Sequence, residues 1–584
     1  MLRLSRWFGP AGATPTARRS TLGFESLEDR TVPSAVSAYL HAPMIQHLTP
    51  SSAVATVGNS VRDPQVTQTR INAHQLTSVQ NLIFFAEPTE SNGVLTCSSS
   101  FTGTHTVTGP ILEKFKQLGG VNGFLGYPKT DVTPSLDFVG QLSVFQNGSI
   151  YWSPATGAHE VHGAIKDKYV SAGAELSLLG YPVGDQHANP DGWSANEFQN
   201  GSVITKPGSG THLYFSRTQM VRAVRATEQD GTLSRPEFDF LHQAANDGNV
   251  YMPADVRDLT RKLIDGDPAN ARYQGTAVGN LNPGSAASKV DLLEKKWFEG
   301  ADHPTARNRS NAKFSYAKAD GVLFATAAGG ESSGLDTPPT PFASDVNQGI
   351  VGDCYFLAAL AATANKHPDV VRNMFIDNGD GTYAVKFFHG TTPEYVTVDR
   401  MLPVDAKGKL VFDGSGRAAT LSDSPQQRNP IWVELAEKAY AQINESGWLG
   451  DGSSGGRDGS NSYYGTTGHD GGGIDSGDAN VALAQITGWA GTLQNKWTGS
   501  AQDGEAFANA AVATLKAGFT VVVDTGDTVA DGKFVTKHSY VLLSAGNDTF
   551  VVRNPWGRDN NGGPATTTLT RAEFIANFVA IDAA

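Results

Sequence analysis

The sequence predicts an α+β multidomain chain, with a mixed α/β core at the C-terminus preceded by a helical linker and two small repeat modules. Three observations favour this class. A length of 584 residues corresponds to about three or four domains of ordinary size. Residues 106–215 contain a tandem repeat. From 343 to 584, helix-like and strand-like patterns of apolar residues alternate along the chain.

The overall composition narrows the classes of function. A formal net charge of −13 argues against nucleic acid or an anionic membrane as the main partner. No apolar run reaches the roughly 18 residues that a membrane-spanning helix needs. The two cysteines, Cys97 and Cys354, are too few for a disulfide framework or a metal cluster, although one disulfide between them remains open.

The first hundred residues carry few structural signals. Residues 1–35 contain arginines but lack the apolar segment of a standard signal peptide. The stretch LGFESLEDRTVPS (22–34) resembles the LEDR-type N-terminal segment of exported bacterial proteins. This resemblance favours an exported or envelope-associated location over a cytoplasmic one. Residues 36–105 show no sustained periodicity, which predicts a mostly irregular linker with a few strands.

The tandem repeat consists of two similar units. Leu-Gly-Tyr-Pro occurs at 125–128 and 179–182, and Phe-Gln-Asn-Gly-Ser follows at 145–149 and 198–202. Each unit has the pattern of a short helix, a Gly/Pro turn and short strands around Asn-Gly. The units resemble LGFP repeats of bacterial cell-wall-associated proteins, which implies a cell-wall glycan or another envelope component as partner. A pair of compact spacer modules is the alternative.

Residues 216–342 are expected to form a helical or irregular linker. Within it, ATEQDGTLSRPEF (226–238) is similar to an EF-hand calcium loop, with Asp230 and Glu237 at positions five and twelve. Ala226 stands where the first carboxylate ligand belongs. A helical linker without calcium is therefore the favoured interpretation.

The mixed α/β region, 343–584, begins with the strongest chemical signal. Cys354 follows a glycine-rich turn and precedes an alanine- and leucine-rich run that predicts a buried helix. The N–H groups and dipole at a helix N-terminus favour a thiolate, and Asp353 is the expected cap of this helix. A buried structural cysteine is the alternative. Catalysis would also need a histidine base and a third group that orients it.

Two strands near the C-terminus supply both groups. HSYVLLSAG and TFVVRNPWG flank the turn signal Gly546-Asn547-Asp548. In a hairpin centred near Asn547, His538 and Asn554 lie close together at the open end and share a face. A hydrogen bond between the two side chains is therefore expected, provided that the register is not shifted by one residue.

Two further residues complete the candidate site. Gln348 lies in the loop before Cys354. Its side-chain amide N–H could stabilise a developing oxyanion together with the Cys354 backbone N–H. Trp556 is expected to shield the histidine–asparagine hydrogen bond from water. Taken singly, the candidates also suit structural roles, as a turn residue, an edge-strand histidine, a strand-end cap and a core aromatic. Their order and contexts together favour catalysis.

Four segments of this region resemble the calpain family of cysteine proteases: QGIVGDCYFLAAL, IWVELAEKAYAQI, KHSYVLLSA and VVRNPWG. The resemblance implies a papain-like core of two subdomains, a helical one with Cys354 and a β-rich one with His538 and Asn554. It also implies endopeptidase chemistry on a protein or peptide substrate. Cys354 is then the nucleophile, His538 the general base and acid, Asn554 the orienting residue and Gln348 the oxyanion donor.

Two residues depart from the family pattern. Tyr355 replaces a tryptophan, and Lys537 replaces the glycine before the histidine, where its charge either lowers the proton affinity of His538 or points to solvent. The chemistry requires no cofactor. Ca²⁺ is retained as a candidate activator without assigned ligands. The acidic stretch 445–460 is a candidate site for it, with a solvated loop as the alternative.

Two other functions remain open from the sequence. One is a catalytically inactive scaffold or envelope-binding protein whose repeats are the functional part. The other is an acyl-transfer enzyme that uses the same thiol and imidazole, since one fold hosts several chemistries. The presence of all four candidate catalytic side chains favours the protease.

Overall fold

The computed structural model describes residues 85–189, 191–324, 339–414, 430–450, 458–464, 472–494 and 501–584. These ranges belong to the second of two compact units, Gln80–Ala584. The predicted targeting segment, 1–35, and the first part of the predicted linker lie outside them. The described chain is mixed α/β with several small sheets, as predicted, and within it no helix is both long and apolar enough to cross a membrane.

The strands expected within 36–105 form a three-stranded antiparallel sheet before the repeats. Cys97 lies on its middle strand, buried against the first repeat. Both Cys97 and Cys354 are free thiols, so the disulfide left open by the sequence is absent. The strands are β1 (Phe85–Ser91), β2 (Val94–Ser99) and β3 (Gly103–Thr108).

Each repeat unit is a short helix followed by a four-stranded antiparallel sheet. The first unit contains α1 (Gly109–Gln117), β4 (Thr133–Pro134), β5 (Gln141–Val144), β6 (Gly148–Ser153) and β7 (Gly157–His162). The second contains α2 (Gly163–Ser171), β8 (His187–Ala188), β9 (Ser194–Glu197), β10 (Ser202–Lys206) and β11 (Gly210–Tyr214).

The two repeated sequence motifs contact each other in both units. In the first unit, Gln146 Oε1 accepts a 2.8 Å hydrogen bond from the Tyr127 N–H. Gly126 has a φ of +71°, and a Cβ there would lie 2.3 Å from the same oxygen. Gly180 and Gln199 make the same close approach in the second unit. Within each unit, the Leu-Gly-Tyr-Pro turn packs against the glutamine of Phe-Gln-Asn-Gly-Ser. The two motifs therefore recur together.

Residues 216–324 contain helices and short strands, and they pack against the C-terminal region. Buried Lys262 donates a 2.9 Å hydrogen bond from Nζ to the Tyr395 carbonyl, and the apolar side chains of both regions share one core. The predicted boundary at 342 stays a prediction. The elements are α3 (Arg217–Ala226), α4 (Arg235–Asn246), α5 (Ala254–Ile264), β12 (Arg272–Tyr273), β13 (Thr276–Ala277), α6 (Ala287–Glu294) and β14 (Ser315–Lys318).

The region from 339 onward opens with helices and a small sheet and ends in a larger one. Its first part contains α7 (Cys354–Lys366), α8 (Pro368–Arg372), β15 (Phe375–Asp377), β16 (Thr382–His389), β17 (Thr392–Asp399), β18 (Met401–Val404), α9 (Trp432–Ile443) and α10 (Ala479–Thr487). Its second part contains β19 (Thr492–Gln494), α11 (Ala501–Lys516), β20 (Val521–Thr525), β21 (Ser539–Ala545), β22 (Thr549–Arg558), β23 (Pro564–Thr570), α12 (Arg571–Asn577) and β24 (Phe578–Ala583).

The larger sheet has six strands in the order β19-β24-β20-β21-β22-β23, and its two faces pack against different helices. Val521 and Val523 belong to a core with α11 and α12, whereas Val522 and Val541 belong to the core that contains α7. Because side chains alternate along a strand, Asp524 and its cross-strand partner Ser539 lie on the α7 face. This face supports the candidate site.

Candidate active site

Cys354 is the first residue of α7, and the helix is buried from Tyr355 to Ala364. Gly349 and Gly352, which precede it, allow the loop to approach neighbouring segments closely, as predicted. A Cβ on Gly349 would lie 1.5 Å from the Phe412 carbonyl oxygen. The helix therefore begins where the loop presses against neighbouring backbone, and Cys354 itself is only partly buried.

The expected cap, Asp353, occupies the cap position but its side chain makes no capping hydrogen bond. Instead, its Oδ1 accepts a 3.2 Å hydrogen bond from Gln348 Nε2, and its carboxyl group is hydrogen-bonded to Glu437 on α9. Burial raises the pKa of Asp353 to about 7. Asp353 therefore joins the Gln348 loop to α9 rather than capping α7.

His538 and Asn554 lie together at the open end of the β21–β22 hairpin. Val541 pairs with Arg553, and His538 Nε2 lies 2.9 Å from Asn554 Oδ1. Both side chains are buried, with 5% and 1% of their surface exposed. The hydrogen bond predicted from the hairpin register is confirmed.

Trp556 lies beside this pair, where it was expected. Its backbone N–H donates a 3.0 Å hydrogen bond to Asn554 Oδ1. Its ring centroid is 5.0 Å from that of the His538 imidazole. The amide oxygen of Asn554 thus receives two hydrogen bonds, which fix its orientation toward the imidazole.

The sulfur of Cys354 lies against Ser539, the residue that follows His538. Hydrogen bonding by Ser539 lowers the pKa of the Cys354 thiol, against the larger effect of burial. The structure therefore brings the candidate nucleophile to the start of β21, one residue from the candidate base. Ser539 was not recognised in the sequence, since a serine after a histidine carries no distinctive signal.

Burial shifts both candidate catalytic groups toward their neutral forms. It raises the pKa of Cys354 to about 12. It also lowers the pKa of His538 to about 4, although the hydrogen bond that the imidazole donates to Asn554 Oδ1 acts in the opposite direction. This differs from the expected thiolate. Loss of hydration outweighs the favourable helix N-terminus, because a charged group loses more than a neutral one on burial.

Gln348 is held in the loop that precedes α7. Its backbone N–H donates a 2.7 Å hydrogen bond to the Pro555 carbonyl, next to Asn554. Its Nε2 donates to the Val351 carbonyl at 2.7 Å and to Asp353 Oδ1 at 3.2 Å. Both partners are acceptors, so the amide nitrogen must face them. The donors expected for an oxyanion are thus engaged within the loop.

Lys537 has a structural explanation. Its φ of +51° is in the left-handed region, where glycine is preferred. Its exposed ammonium lies 2.9 Å from Asp527 Oδ1. Of the two alternatives left by the sequence, the structure favours the one in which the charge points to solvent.

Arg553 is a site residue that the sequence analysis missed. Its Nε donates to the Ala343 carbonyl at 2.9 Å and its Nη2 to the Val346 carbonyl at 2.8 Å. The available signal was a charged residue inside an apolar strand. Arg553 fastens the segment before Gln348 to the strand that carries Asn554.

A cluster of buried carboxyl groups beneath the Gln348 loop was also missed. Asp353 adjoins Asp413, Glu434 and Glu437, which are 5% exposed or less. Burial and mutual repulsion raise the pKa of Asp413 to about 8 and those of both glutamates well above their usual range. The cluster therefore retains protons at neutral pH. The sequence of α9 gives no sign of this cluster, because charged residues normally predict an exposed helix face. In the structure every residue of α9 is buried.

The structure assigns no calcium ligands among the described residues. Among them, no group of three or more His, Cys, Asp or Glu side chains is placed to hold an ion. In the EF-hand-like loop, Glu237 Oε2 accepts hydrogen bonds from the Ser234 N–H and hydroxyl at 2.8 and 2.7 Å, which favours the helical interpretation. Within the acidic stretch, Glu445 pairs with buried Lys296, and residues 451–457 lie outside the described ranges.

Comparison with protein families finds two matches. Residues 340–454 match the model described as calpain family cysteine protease. Residues 125–177 and 179–216 match LGFP repeats. Both predicted resemblances are confirmed, and the segment 340–454 is similar to a family of cysteine-type peptidases. A bacterial origin stays a prediction.

Similar curated proteins are calpains from animals and plants. Human calpain-14 is 28% identical over 251 residues, covering 40% of this chain and 31% of that protein. Mouse calpain-12 is 26% identical over 246 residues, covering 40% and 29%. The calpain-type cysteine protease DEK1 of Arabidopsis thaliana is 27% identical over 248 residues, covering 39% and 10%. The chain thus spans a third or less of each of these relatives.

Proposed function

We propose that this chain is a cysteine endopeptidase, with Cys354 as nucleophile, His538 as general base and acid, and Asn554 as the orienting residue. The observation that carries the proposal is the 2.9 Å hydrogen bond from His538 to Asn554, beside the strand β21 whose Val541 shares a core with α7. A calpain-family segment around Cys354 supports it. We propose the papain-like two-subdomain arrangement on the same grounds, with α7 facing the six-stranded sheet.

The first half of the reaction forms an acyl-enzyme. The Cys354 proton passes to the ring nitrogen Nδ1 of His538, because Nε2 is held by Asn554. The thiolate attacks the peptide carbonyl carbon, and the carbonyl electron pair moves onto oxygen. When the tetrahedral adduct collapses, the amine leaves with the proton from the imidazolium, and a thioester to Cys354 remains.

The second half hydrolyses the thioester. His538 removes a proton from water, and the resulting hydroxide equivalent attacks the thioester carbonyl. Collapse expels the Cys354 thiolate, which recovers its proton from the imidazolium. Asn554 holds the imidazole in one orientation throughout, as the third member of such a triad does.

Gln348 is proposed as the oxyanion donor. For this role its Nε2 has to release the Val351 carbonyl or the Asp353 carboxyl group, because both now accept from it. The Cys354 backbone N–H supplies the second donor. Substrate binding is the proposed trigger, since a developing oxyanion is a stronger acceptor than a backbone carbonyl.

Digestion of a defined peptide mixture by the full chain, with products identified by mass spectrometry, tests the endopeptidase proposal. We expect internal cleavage with addition of one water per product pair. Cys354→Ala should abolish cleavage, whereas the matched variant Cys97→Ala should retain it. Transfer of the acyl group to an added amine without hydrolysis would instead favour the acyl-transfer alternative.

Calcium activation remains a proposal from the family resemblance. The assay above, run with added Ca²⁺ and with a chelator, tests it. A rate that rises with Ca²⁺ supports activation, and equal rates under both conditions would contradict it.

We also propose that the repeats attach the chain to a cell-wall glycan or another envelope component. The LGFP match supports this partner class. Cosedimentation of the full chain with purified peptidoglycan tests the glycan, and a washed envelope fraction tests other components. Recovery in the soluble fraction with both would leave the repeats as spacers.

A catalytically inactive envelope-binding protein is the second candidate function. One feature favours it: burial raises the pKa of the Cys354 thiol and lowers that of the His538 imidazole, and both shifts disfavour a thiolate–imidazolium pair. An inactive binding protein should sediment with the envelope fraction. It should show no peptide cleavage that depends on Cys354.

A further inference from the structure

Gly352, two residues before Cys354, is held through both of its backbone polar groups. Its N–H donates a 2.9 Å hydrogen bond to Asp475 Oδ1, and its carbonyl accepts one of 2.9 Å from the Ser476 N–H. A Cβ on Gly352 would lie 2.4 Å from Asp475 Oδ1, so the absence of a side chain allows this close approach. Asp475 has no part in the mechanism derived above.

The segment that contains Asp475 also contacts the first turn of α7. The Tyr355 hydroxyl donates a 3.1 Å hydrogen bond to the Ile474 carbonyl. Ser476 has a φ of +70°, a left-handed conformation that persists in a non-glycine residue only where the surrounding structure holds it. Residues 474–476 therefore bind the chain on both sides of Cys354.

The carboxylate of Asp475 is almost completely buried, with 1% of the side chain exposed, so its charge needs a partner. Arg309 provides one. Its Nη2 lies 3.3 Å from Asp475 Oδ1 and 3.4 Å from Oδ2, and the arginine side chain itself is 60% exposed. The charge of a buried carboxylate beside the loop before Cys354 is thus balanced from the protein surface.

Arg309 lies in a closed turn between α6 and β14. The Asn308 N–H donates to the Ala312 carbonyl at 3.0 Å, and Asn308 Oδ1 accepts from the Ala312 N–H at 2.9 Å. The chain before this turn is fastened as well, because the Thr305 N–H donates to the Asn461 carbonyl at 2.8 Å. The turn precedes the segment that matches the calpain family model, so a residue from outside that match reaches the candidate site.

The position of Gly352 bears on the Cys354 N–H, which is the proposed second donor to the oxyanion. This N–H belongs to the peptide group that joins Asp353 to Cys354. The carbonyl of the same peptide group accepts hydrogen bonds of 2.9 and 3.0 Å from two N–H groups of α7. The preceding residue, Gly352, is held by residues 474–476. The peptide group is therefore fixed from both sides, as a preorganised oxyanion donor requires.

We propose that Asp475 is a positioning residue for Cys354. Asp475 holds Gly352 and thereby aims the Cys354 N–H at the oxyanion. Arg309 keeps Asp475 in place by balancing its charge. The inference rests on the proposed peptidase function, and it extends the catalytic unit to the region before the family match. Without Arg309, a buried carboxylate loses this partner, shifts or takes up water, and releases Gly352.

Steady-state kinetics of the full chain on a peptide that it cleaves test the proposal. We expect Arg309→Gln to lower kcat by about tenfold with little change in KM, because the donor is needed when the oxyanion forms. Arg309→Lys, which keeps the charge, should retain most of the activity. Lys313→Gln removes an exposed cation nearby in the chain and is the matched control. An equal fall in the control would overturn the proposal.

Alkylation of Cys354 by iodoacetamide separates positioning from a general disturbance of the site. This reaction needs the sulfur but forms no oxyanion, so its rate should be nearly unchanged in Arg309→Gln. Peptide mapping by mass spectrometry separates Cys354 from Cys97. If alkylation slows as much as kcat falls, the substitution has disturbed the whole site, and the positioning role is wrong.

The double variant Arg309→Gln/Asp475→Asn is the decisive comparison. Asparagine keeps an oxygen that can accept from the Gly352 N–H, but it carries no charge that needs Arg309. We therefore expect the second substitution to restore much of the kcat that Arg309→Gln loses. A kcat that stays as low as in Arg309→Gln, or falls further, would overturn the proposal, because Arg309 would then act independently of Asp475.

Hydrogen exchange of the full chain, measured by mass spectrometry on peptides that cover 348–356, tests the anchoring without substrate. We expect faster exchange in Arg309→Gln and slower exchange again in the double variant. Unchanged exchange in Arg309→Gln would overturn the inference even if the chain cleaves peptides. A wild-type chain that cleaves no peptide would refute the proposed function, and the exchange comparison would still decide whether Asp475 and Arg309 hold the loop.

Discussion

The backbone N–H of Gln348 donates a 2.7 Å hydrogen bond to the carbonyl of Pro555, so the loop before Cys354 is tied to the strand that carries Asn554. Arg553 strengthens the same connection through the Ala343 and Val346 carbonyls. These hydrogen bonds fix the position of the loop before Cys354 relative to the strand that carries Asn554.

Arg553→Met should loosen the connection between the loop and β22. It leaves buried carbonyls without their donor, so we expect the free energy of unfolding to fall by about 2–4 kcal/mol. Peptidase activity should also fall, because Gln348 loses its support. Chemical denaturation and steady-state kinetics measure the two effects. Arg558→Met, at an exposed position of the same strand, is the control, and equal losses in both variants would argue against a specific role for Arg553.

Asn554→Ala should impair catalysis more than stability. The imidazole of His538 would lose the hydrogen bond that fixes its orientation, and we expect kcat to fall by about 10²-fold or more. KM should change little, because Asn554 has no proposed contact with substrate. Asn554→Gln cannot keep the same geometry and should not restore the rate. A drop confined to KM would contradict the orienting role.

Lys537→Gly should preserve activity and its pH dependence. The backbone at Lys537 has a φ of +51°, which glycine adopts without strain, and the ammonium pairs with exposed Asp527 rather than with His538. The expected stability change is within about 1 kcal/mol. A shifted pH profile would show that the charge of Lys537 acts on the imidazole after all.

The buried carboxyl cluster should make the protein less stable as pH rises. Asp353 and Asp413 have folded pKa values of about 7 and about 8, above their usual 3.8, so the folded state binds more protons than the unfolded state. The stabilising effect of these protons is fully present below about pH 4 and is lost progressively as pH rises through 7 and 8. Thermal unfolding of wild type and Asp413→Asn at several pH values measures it. The variant should lose less stability than wild type between pH 5 and 9, and parallel curves would contradict the assignment.

Sequence patterns predicted the parts of the site that depend on local geometry. The start of α7 at Cys354 followed from a glycine-rich turn and helix formers, and the His538–Asn554 contact followed from the two-residue period of a hairpin. Both rest on interactions close in sequence. The family resemblance around Cys354 was visible in the motif itself.

Features that depend on packing between distant segments were not predictable. The raised pKa of Cys354 comes from loss of hydration in the folded chain, which no helix-dipole argument could anticipate. From its sequence position, Asp353 is expected to cap α7. In the folded chain its carboxyl group is hydrogen-bonded to Gln348 and Glu437 instead. Asp524 and Ser539 meet only through cross-strand pairing. In each case the partner is far along the chain.

The most direct test of the account is a crystal structure of the full chain with a peptide aldehyde. We expect a covalent bond from Cys354 Sγ to the aldehyde carbon, with His538 hydrogen-bonded to the adduct, Asn554 still behind the imidazole, and Gln348 Nε2 turned toward the former carbonyl oxygen. An aldehyde that stays unbound, or an adduct at another residue with Cys354 remote from His538, would contradict the proposed triad.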